Sequence, residues 1–179
     1  IMEANIISSG EYASIYVADG TDLTINGDSG IMPYTNMQII CDPRVSLTLR
    51  NVQIDNRNLS DTRAVSFSGE DNILTLEDSV LLMCDADSAG VQVGDKAVLT
   101  IKGDSSRTYG MQVRCEPGVE LTLDNARIDN GNSAHALSFS GDDNTLTFIG
   151  DIMVRSGSDR AGMKVGNGGK LTIYGDPDK

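Results

Sequence analysis

Three pairs of acids have the chemistry to seat a divalent cation: Glu70-Asp71, Asp85 with Asp87, and Asp142-Asp143. Calcium takes about six to eight oxygen ligands, so acids from neighbouring turns of the chain would have to converge on one ion. Acids at such positions also serve as turn formers and solubilising surface groups. A second set, Tyr16, Gln38, Gln92, Gln112, Arg114 and Lys164, has the chemistry to bind sugars. Amides exchange hydrogen bonds with hydroxyls, and guanidinium and ammonium groups pair with carboxylates. The chain has no Trp, which leaves that set poor in stacking partners. His135, the single histidine, follows the loop Gly131-Asn132-Ser133, where no Ser-His-Asp triad can be read. Glycoside hydrolysis requires paired carboxylates, and lyase chemistry requires calcium-binding acids beside an arginine. No column of acids that would supply either is legible.

These side chains are positioned by a recurring tripeptide of leucine, threonine and an apolar residue. It occurs seven times, starting at Leu23, Leu47, Leu74, Leu99, Leu121, Leu146 and Leu171, with spacings of 24, 27, 25, 22, 25 and 25 residues. Apolar, polar, apolar alternation is the signature of a strand, and a nearly fixed period marks a repeat architecture. A second alternating strand precedes each: Ile15/Val17, Met37/Ile39, Val65/Phe67, Val91/Val93, Met111/Val113, Leu137/Phe139 and Met163/Val165. This alignment places Tyr16, Gln38, Ser66, Gln92, Gln112, Ser138 and Lys164 in one outward column, with Arg114 in the next. A third, more variable strand follows at Val52/Ile54, Val80/Leu82, Ala126/Ile128 and Ile152/Val154, whereas Gly27-Asp28-Ser29 and Gly103-Asp104-Ser105 take its place in rungs one and four.

Short turns at this period cannot make hairpins. They predict an all-β parallel β-helix of about seven rungs, with Leu47, Leu74 and Leu99 in one inward file. Residues 37–56 match 111–130 without a gap, and 64–76 match 136–148, so three rungs form a unit of roughly 74 residues. Residues 1–12 read as a lead-in strand or partial cap and 13–179 as the β-helix. The start at Ile1 suggests a processed or excised fragment, and the uncapped seventh rung suggests continuation beyond Lys179. The threonine column suggests an ice-binding face, but its partner positions (Asn26, Arg50, Glu77, Lys102, Asp124, Ile149, Tyr174) are mixed and charged. A β-branched ladder stabilising a stacked sheet accounts for it better.

Lys and Arg total 14 against 26 Asp and Glu, a net charge of -12 that argues against nucleic acid as a partner. No apolar run approaches the roughly 20 residues that span a bilayer, so no membrane insertion is expected. Cys41 and Cys115 occupy equivalent positions three rungs apart. At about 4.8 Å per rung they are roughly 14 Å apart, too far for a disulfide. All three cysteines are expected to be reduced and buried.

The string from Gly90-Val91 through Leu99-Thr100-Ile101-Lys102-Gly103-Asp104 resembles the right-handed, pectate-lyase-like β-helices of bacterial surface proteins. It is most similar to carbohydrate-binding-domain-containing surface proteins of anaerobic Gram-positive bacteria. The resemblance spans about residues 13–176. It implies a right-handed helix, secretion or cell-surface display, a polysaccharide or cell-surface glycan as partner, and calcium in acidic turns. The expected function is a noncatalytic extracellular carbohydrate-binding or adhesion module. The alternatives are a polysaccharide lyase or glycoside hydrolase fragment, and a structural stalk.

Overall fold

A computed structural model describes residues 13–28, 33–59, 62–85, 89–131, 134–158 and 160–176. The predicted cap, residues 1–12, lies outside the described residues. Each turn of the chain is built from three short strands. The first has β1 (Ala13–Val17), β2 (Asp22–Asn26) and β3 (Tyr34–Thr35), and the second β4 (Met37–Cys41), β5 (Ser46–Arg50) and β6 (Gln53–Asn56). The third has β7 (Val65–Phe67), β8 (Asn72–Glu77) and β9 (Leu81–Cys84), and the fourth β10 (Val91–Val93), β11 (Val98–Lys102) and β12 (Gly110–Met111). The fifth has β13 (Val113–Cys115), β14 (Glu120–Asp124) and β15 (Arg127–Asn130), and the sixth β16 (Leu137–Phe139), β17 (Asn144–Ile149) and β18 (Met153–Ser156). A seventh contributes β19 (Met163–Val165) and β20 (Leu171–Tyr174).

The leading strands of all seven turns form one seven-stranded sheet, and the second strands form another. The third strands make a four-stranded sheet and a two-stranded one, joined by a bridge from Tyr109 to Ile128. Every pairing is parallel, from Ala13↔Met37 at one end to Leu146↔Ile173 at the other. The chain is therefore a parallel β-helix, with its apolar side chains gathered in one shaft. Ile39, Val65, Val91, Val113 and Leu137 are all fully buried there as one file, with Cys41, Phe67, Val93, Cys115 and Phe139 beside it. Cys41 and Cys115 are free thiols three rungs apart in that second file.

Register is where the structure departs from the sequence reading. Leu47 faces Leu74, but the file continues through Ile101, Leu123 and Phe148, and Leu99 lies opposite Asn72 instead. The cause is the conformation of the corner, since four residues join the first strand to the second in each of the first six turns. Six residues separate Cys41 from Leu47, whereas eight separate Val93 from Ile101. A slip of two residues preserves which side chains face inward, so the core tolerates it. The third corner has two left-handed residues, Gly69 (φ 69°) and Asp71 (φ 56°), and the sixth has Gly141 (φ 64°) and Asp143 (φ 61°), where the second, fourth and fifth have one each, Arg44, Lys96 and Gly118. Asn72 and Asn144 fill the inside of these corners. Each accepts from a buried backbone N–H (Val45 at 3.2 Å, Val119 at 3.1 Å) and donates to a carbonyl (Ser68 at 2.9 Å, Ser140 at 2.8 Å). The slip also breaks the threonine ladder into Thr24–Thr48–Thr75 and Thr100–Thr122–Thr147, one pleat apart.

Two further expectations are corrected. The leading strands of turns two and five pair through Ile39/Cys41 and Val113/Cys115, not through Met37/Ile39 and Met111/Val113. Apolar alternation continues through these corners without a break, so it cannot mark where the strand begins. Met111 belongs to the third sheet, opposite Leu82. Nor do the Gly-Asp-Ser segments replace the third strand, since β3 and β12 follow them. In turn four the reason is Tyr109, fully buried, whose hydroxyl donates to the Leu76 carbonyl at 2.9 Å and accepts from the Asp104 N–H at 2.9 Å. Gly103 lies beneath its ring, where a Cβ would come within 2.8 Å of an aromatic carbon.

Candidate functional site

The register places an outward column on the first sheet that differs from the expected one. It runs Tyr16, Ile40, Ser66, Gln92, Arg114, Ser138, Lys164. Arg114 is in the column, and Gln38 and Gln112 are not. Gln38 pairs with Ser14 one pleat away, and Gln112 is the buried link between β12 and β13. Tyr16 is exposed and donates its hydroxyl to the Asp42 carboxylate. That hydrogen bond holds the phenol above the ordinary tyrosine range. Tyr16 stands four rungs from Arg114, roughly 19 Å at strand spacing, so the six expected ligand residues do not form one site. Gln92 is 6% exposed, and its amide donates to Glu116 at 2.8 Å.

Three of the six do converge. Gln112, Arg114 and Lys164 line a cavity of about 520 Å³ that also receives Glu116, His135 and Arg160. Arg114 comes from the fifth turn and Lys164 from the seventh, with Ser138 of the sixth between them in register. Ser138 Oγ has no hydrogen-bond partner among the described residues. Glu116, by contrast, is tied down by Gln92 and by the Ser140 hydroxyl at 3.3 Å. The His135 ring nitrogen Nδ1 lies 2.7 Å from the Ala161 carbonyl, so Nδ1 carries the proton and donates. The contact that would orient this imidazole as a base is thus to a backbone oxygen and not to a carboxylate.

The balance of charge at this cavity is unusual for the chain. Of nine arginines, six (Arg44, Arg50, Arg57, Arg107, Arg127 and Arg155) are ion-paired to an Asp or Glu. Arg114, Arg160 and Lys164 have no carboxylate within 4.0 Å among the described residues. Arg63, Lys96, Lys102 and Lys170 are also outside any ion pair among the described residues, so what sets this cavity apart is that three such cations line it together. A cavity with unpaired cations, an amide and an unsatisfied hydroxyl is equipped to hold an anion that also carries hydroxyls.

A second cavity, of about 430 Å³, opens on the third sheet. Its lining includes Leu81, Met83, Cys84, Asp85 and Asp129. Asp129 is 16% exposed and gives one carboxylate oxygen to Arg155, at 3.0 Å from Nε, and its other oxygen has no hydrogen bond among the described residues. Burial pushes the Cys84 thiol up to about 11.

The acid pairs are dispersed. Glu70-Asp71 and Asp142-Asp143 occupy the same corner three rungs apart, roughly 14 Å, and all four are exposed. Asp71 and Asp143 are the left-handed turn residues described above. Asp85 lines the third-sheet cavity, and Asp87 lies outside the described residues. No three acids, cysteines or histidines come close enough to hold a metal ion among the described residues.

Arg160, Glu116 and Asp129 belong to no motif legible in the sequence, and His135 is legible there only as a would-be triad member. The three-rung repeat carries a signal for two of them. Glu116 repeats Asp42 and Asp129 repeats Asp55, whereas Ile40 stands in the first unit where Arg114 stands in the second. The basic cavity is therefore a property of the second unit alone. No protein-family model, curated protein or solved structure matches this chain.

Proposed function

We propose that this chain is a noncatalytic extracellular carbohydrate-binding or adhesion module that holds an acidic glycan in the basic cavity of its first sheet. The supporting observation is the convergence of Arg114, Arg160 and Lys164, none with an acid partner among the described residues, on a chain whose other arginines are mostly paired. Unspent cations at a concave surface raise the local concentration of anionic ligand and supply charge-assisted hydrogen bonds to its carboxylates. Gln112 and Ser138 add neutral partners for ring hydroxyls. Extracellular display and a role for calcium are supported by the family resemblance alone.

Calorimetric titration with oligogalacturonate, with and without EDTA, tests the reading. The parent protein is expected to bind it, more weakly at higher salt. A neutral oligosaccharide of equal length, such as cellotetraose, should not bind. Replacing Arg114 and Lys164 together by Ala should weaken binding roughly hundredfold, the value of two charge-assisted hydrogen bonds. Equal binding by the parent and the double variant would remove the cavity from the function. Release of unsaturated product, read by ultraviolet absorbance, would replace the binding role with a lyase.

A further inference from the structure

We infer that the basic cavity continues around the corner of the solenoid into the third-sheet cavity, and that the ligand is a glycan in which an acidic sugar is linked to an N-acylated amino sugar. This inference rests on the acidic-glycan reading of the basic cavity and adds the neighbouring unit.

The first argument is continuity. Gln112 and Ala134 line both cavities. Gln112 alone joins β12 to β13, whereas six residues (85–90) join β9 to β10 and six (131–136) join β15 to β16. A corner turned by a single residue leaves a notch between the strands it joins. The notch connects the outer side of the first sheet to that of the third. A ligand lying in it crosses the solenoid axis and touches both faces.

The second argument is the difference in chemistry on the two sides. The first-sheet side offers Arg114, Arg160 and Lys164 to a carboxylate. Among the described residues the third-sheet side offers no unpaired cation, because the arginine that lines it, Arg57, is paired to Asp55. It presents Leu81 and Met83 together with the Asp129 carboxylate, which has an unused acceptor oxygen. That oxygen, Oδ1, is buried while Oδ2 holds Arg155, so a donor in the cavity reaches it through a modest rotation of the carboxylate, whose terminal torsion is broad. An N-acyl group matches this side with both of its parts. Its amide N–H donates to Asp129, and its methyl packs on Leu81 and on the adaptable Met83 thioether. A sugar bearing only hydroxyls leaves that apolar lining unused, and a second acidic sugar would set its carboxylate against Asp129.

Calorimetry with three tetrasaccharides tests this directly. The probes are a hyaluronan tetrasaccharide, which alternates uronate and N-acetylglucosamine, tetragalacturonate, and chitotetraose. The hyaluronan probe should bind about tenfold more tightly than either of the others. Asp129→Asn should cost it roughly tenfold, because an Asn that turns its oxygen to Arg155 presents N–H to N–H. The same substitution should leave tetragalacturonate unchanged. Met83→Glu, on an outward and half-buried position, should repeat that selective loss if Asp129→Asn folds poorly. Equal affinity for the hyaluronan probe and tetragalacturonate, or equal sensitivity of both to these variants, would overturn the inference and leave the acidic-glycan reading standing. Absence of binding by all three probes would overturn both.

Discussion

Asn72→Ala tests the claim that polar side chains inside the shaft set the register. Asn72 is 1% exposed and bridges two turns. Removing its side chain leaves the Val45 N–H without its acceptor at 3.2 Å and the Ser68 carbonyl without its donor at 2.9 Å. The Gly69 carbonyl, which Asn72 also reaches, retains the Val98 N–H at 2.9 Å and so is not orphaned. Two buried polar groups stranded at about 1–3 kcal/mol each give a loss of about 3 kcal/mol. For a chain of this length that is a fall of roughly 6–12 °C in Tm. Guanidinium titration followed by far-ultraviolet circular dichroism would read it as a lower midpoint at unchanged slope. Asn144→Ala provides an internal replicate, since Asn144 makes the equivalent bonds to Val119 and Ser140 in the second unit. Asn72→Leu separates polarity from packing, because Leu99 already occupies the facing position. If the leucine variant matches the parent in stability, or if Asn72→Ala costs less than about 0.5 kcal/mol, the corner does not depend on these hydrogen bonds and the account of the register slip fails.

Two further outcomes follow from ionisation. Burial pushes the Cys41 thiol up to about 12, the Cys84 thiol up to about 11, and that of Cys115 higher still. Since the thiolate is the reactive form, a disulfide reagent at pH 8 should leave Cys41 and Cys115 unmodified and label Cys84 slowly, with all three reacting in guanidinium. Cys84 is half-buried at the third-sheet cavity, in place of the expected full burial, so rapid labelling of Cys41 and Cys115 in the folded protein is the result that would contradict their placement in the shaft. The Asp55 carboxyl is held below the usual range chiefly by its hydrogen bonds from Arg57, at 2.9 Å from Nε and 2.7 Å from a terminal nitrogen. A carboxyl whose folded pKa is depressed stabilises the fold above its unfolded value near 3.9 and loses that contribution as pH falls through the folded one. The stability difference between parent and Arg57→Ala should therefore shrink between pH 7 and pH 3, and a difference independent of pH would refute the pairing.

The strands were legible because alternation is local. Leu-Thr-Leu at 47–49 and at 121–123 identifies a strand without reference to any neighbour, and recurrence at a near-constant spacing excludes hairpins. Register was not legible, and the reason is the same periodicity. A shift of two residues returns every side chain to the face it left, so Leu99 fits beside Leu74 in the pattern while lying opposite Asn72 in the fold. What separates the alternatives is corner conformation, recorded only in turn residues such as Gly69, Asp71 and Asn72, which read as ordinary surface polarity. The same limit displaced Gln38 and Gln112 from the binding column and hid Arg114's place within it. An error of one pleat is harmless in the core, where Ile, Val and Leu substitute for one another. It is decisive on the surface, where the residue two places along is an arginine in place of a glutamine.

The candidate site follows from this reasoning. Nothing in the strand alternation distinguishes the fifth turn from the second, whose sequences align without a gap. What differs is the side chains turned outward, since a one-residue corner precedes both turns, Asn36 before β4 and Gln112 before β13. One residue links β12 to β13, with six-residue links on the turns to either side. A notch is created by the omission of a loop, and no motif marks an omission. Function in such a solenoid is then carried by differences between repeats, such as Ile40 against Arg114, while the features common to all turns hold the shaft together. The expected consequence is that substitutions at repeat-invariant positions such as Asn72 and Asn144 change stability and leave glycan affinity alone, whereas substitutions at Arg114 and Lys164 do the reverse.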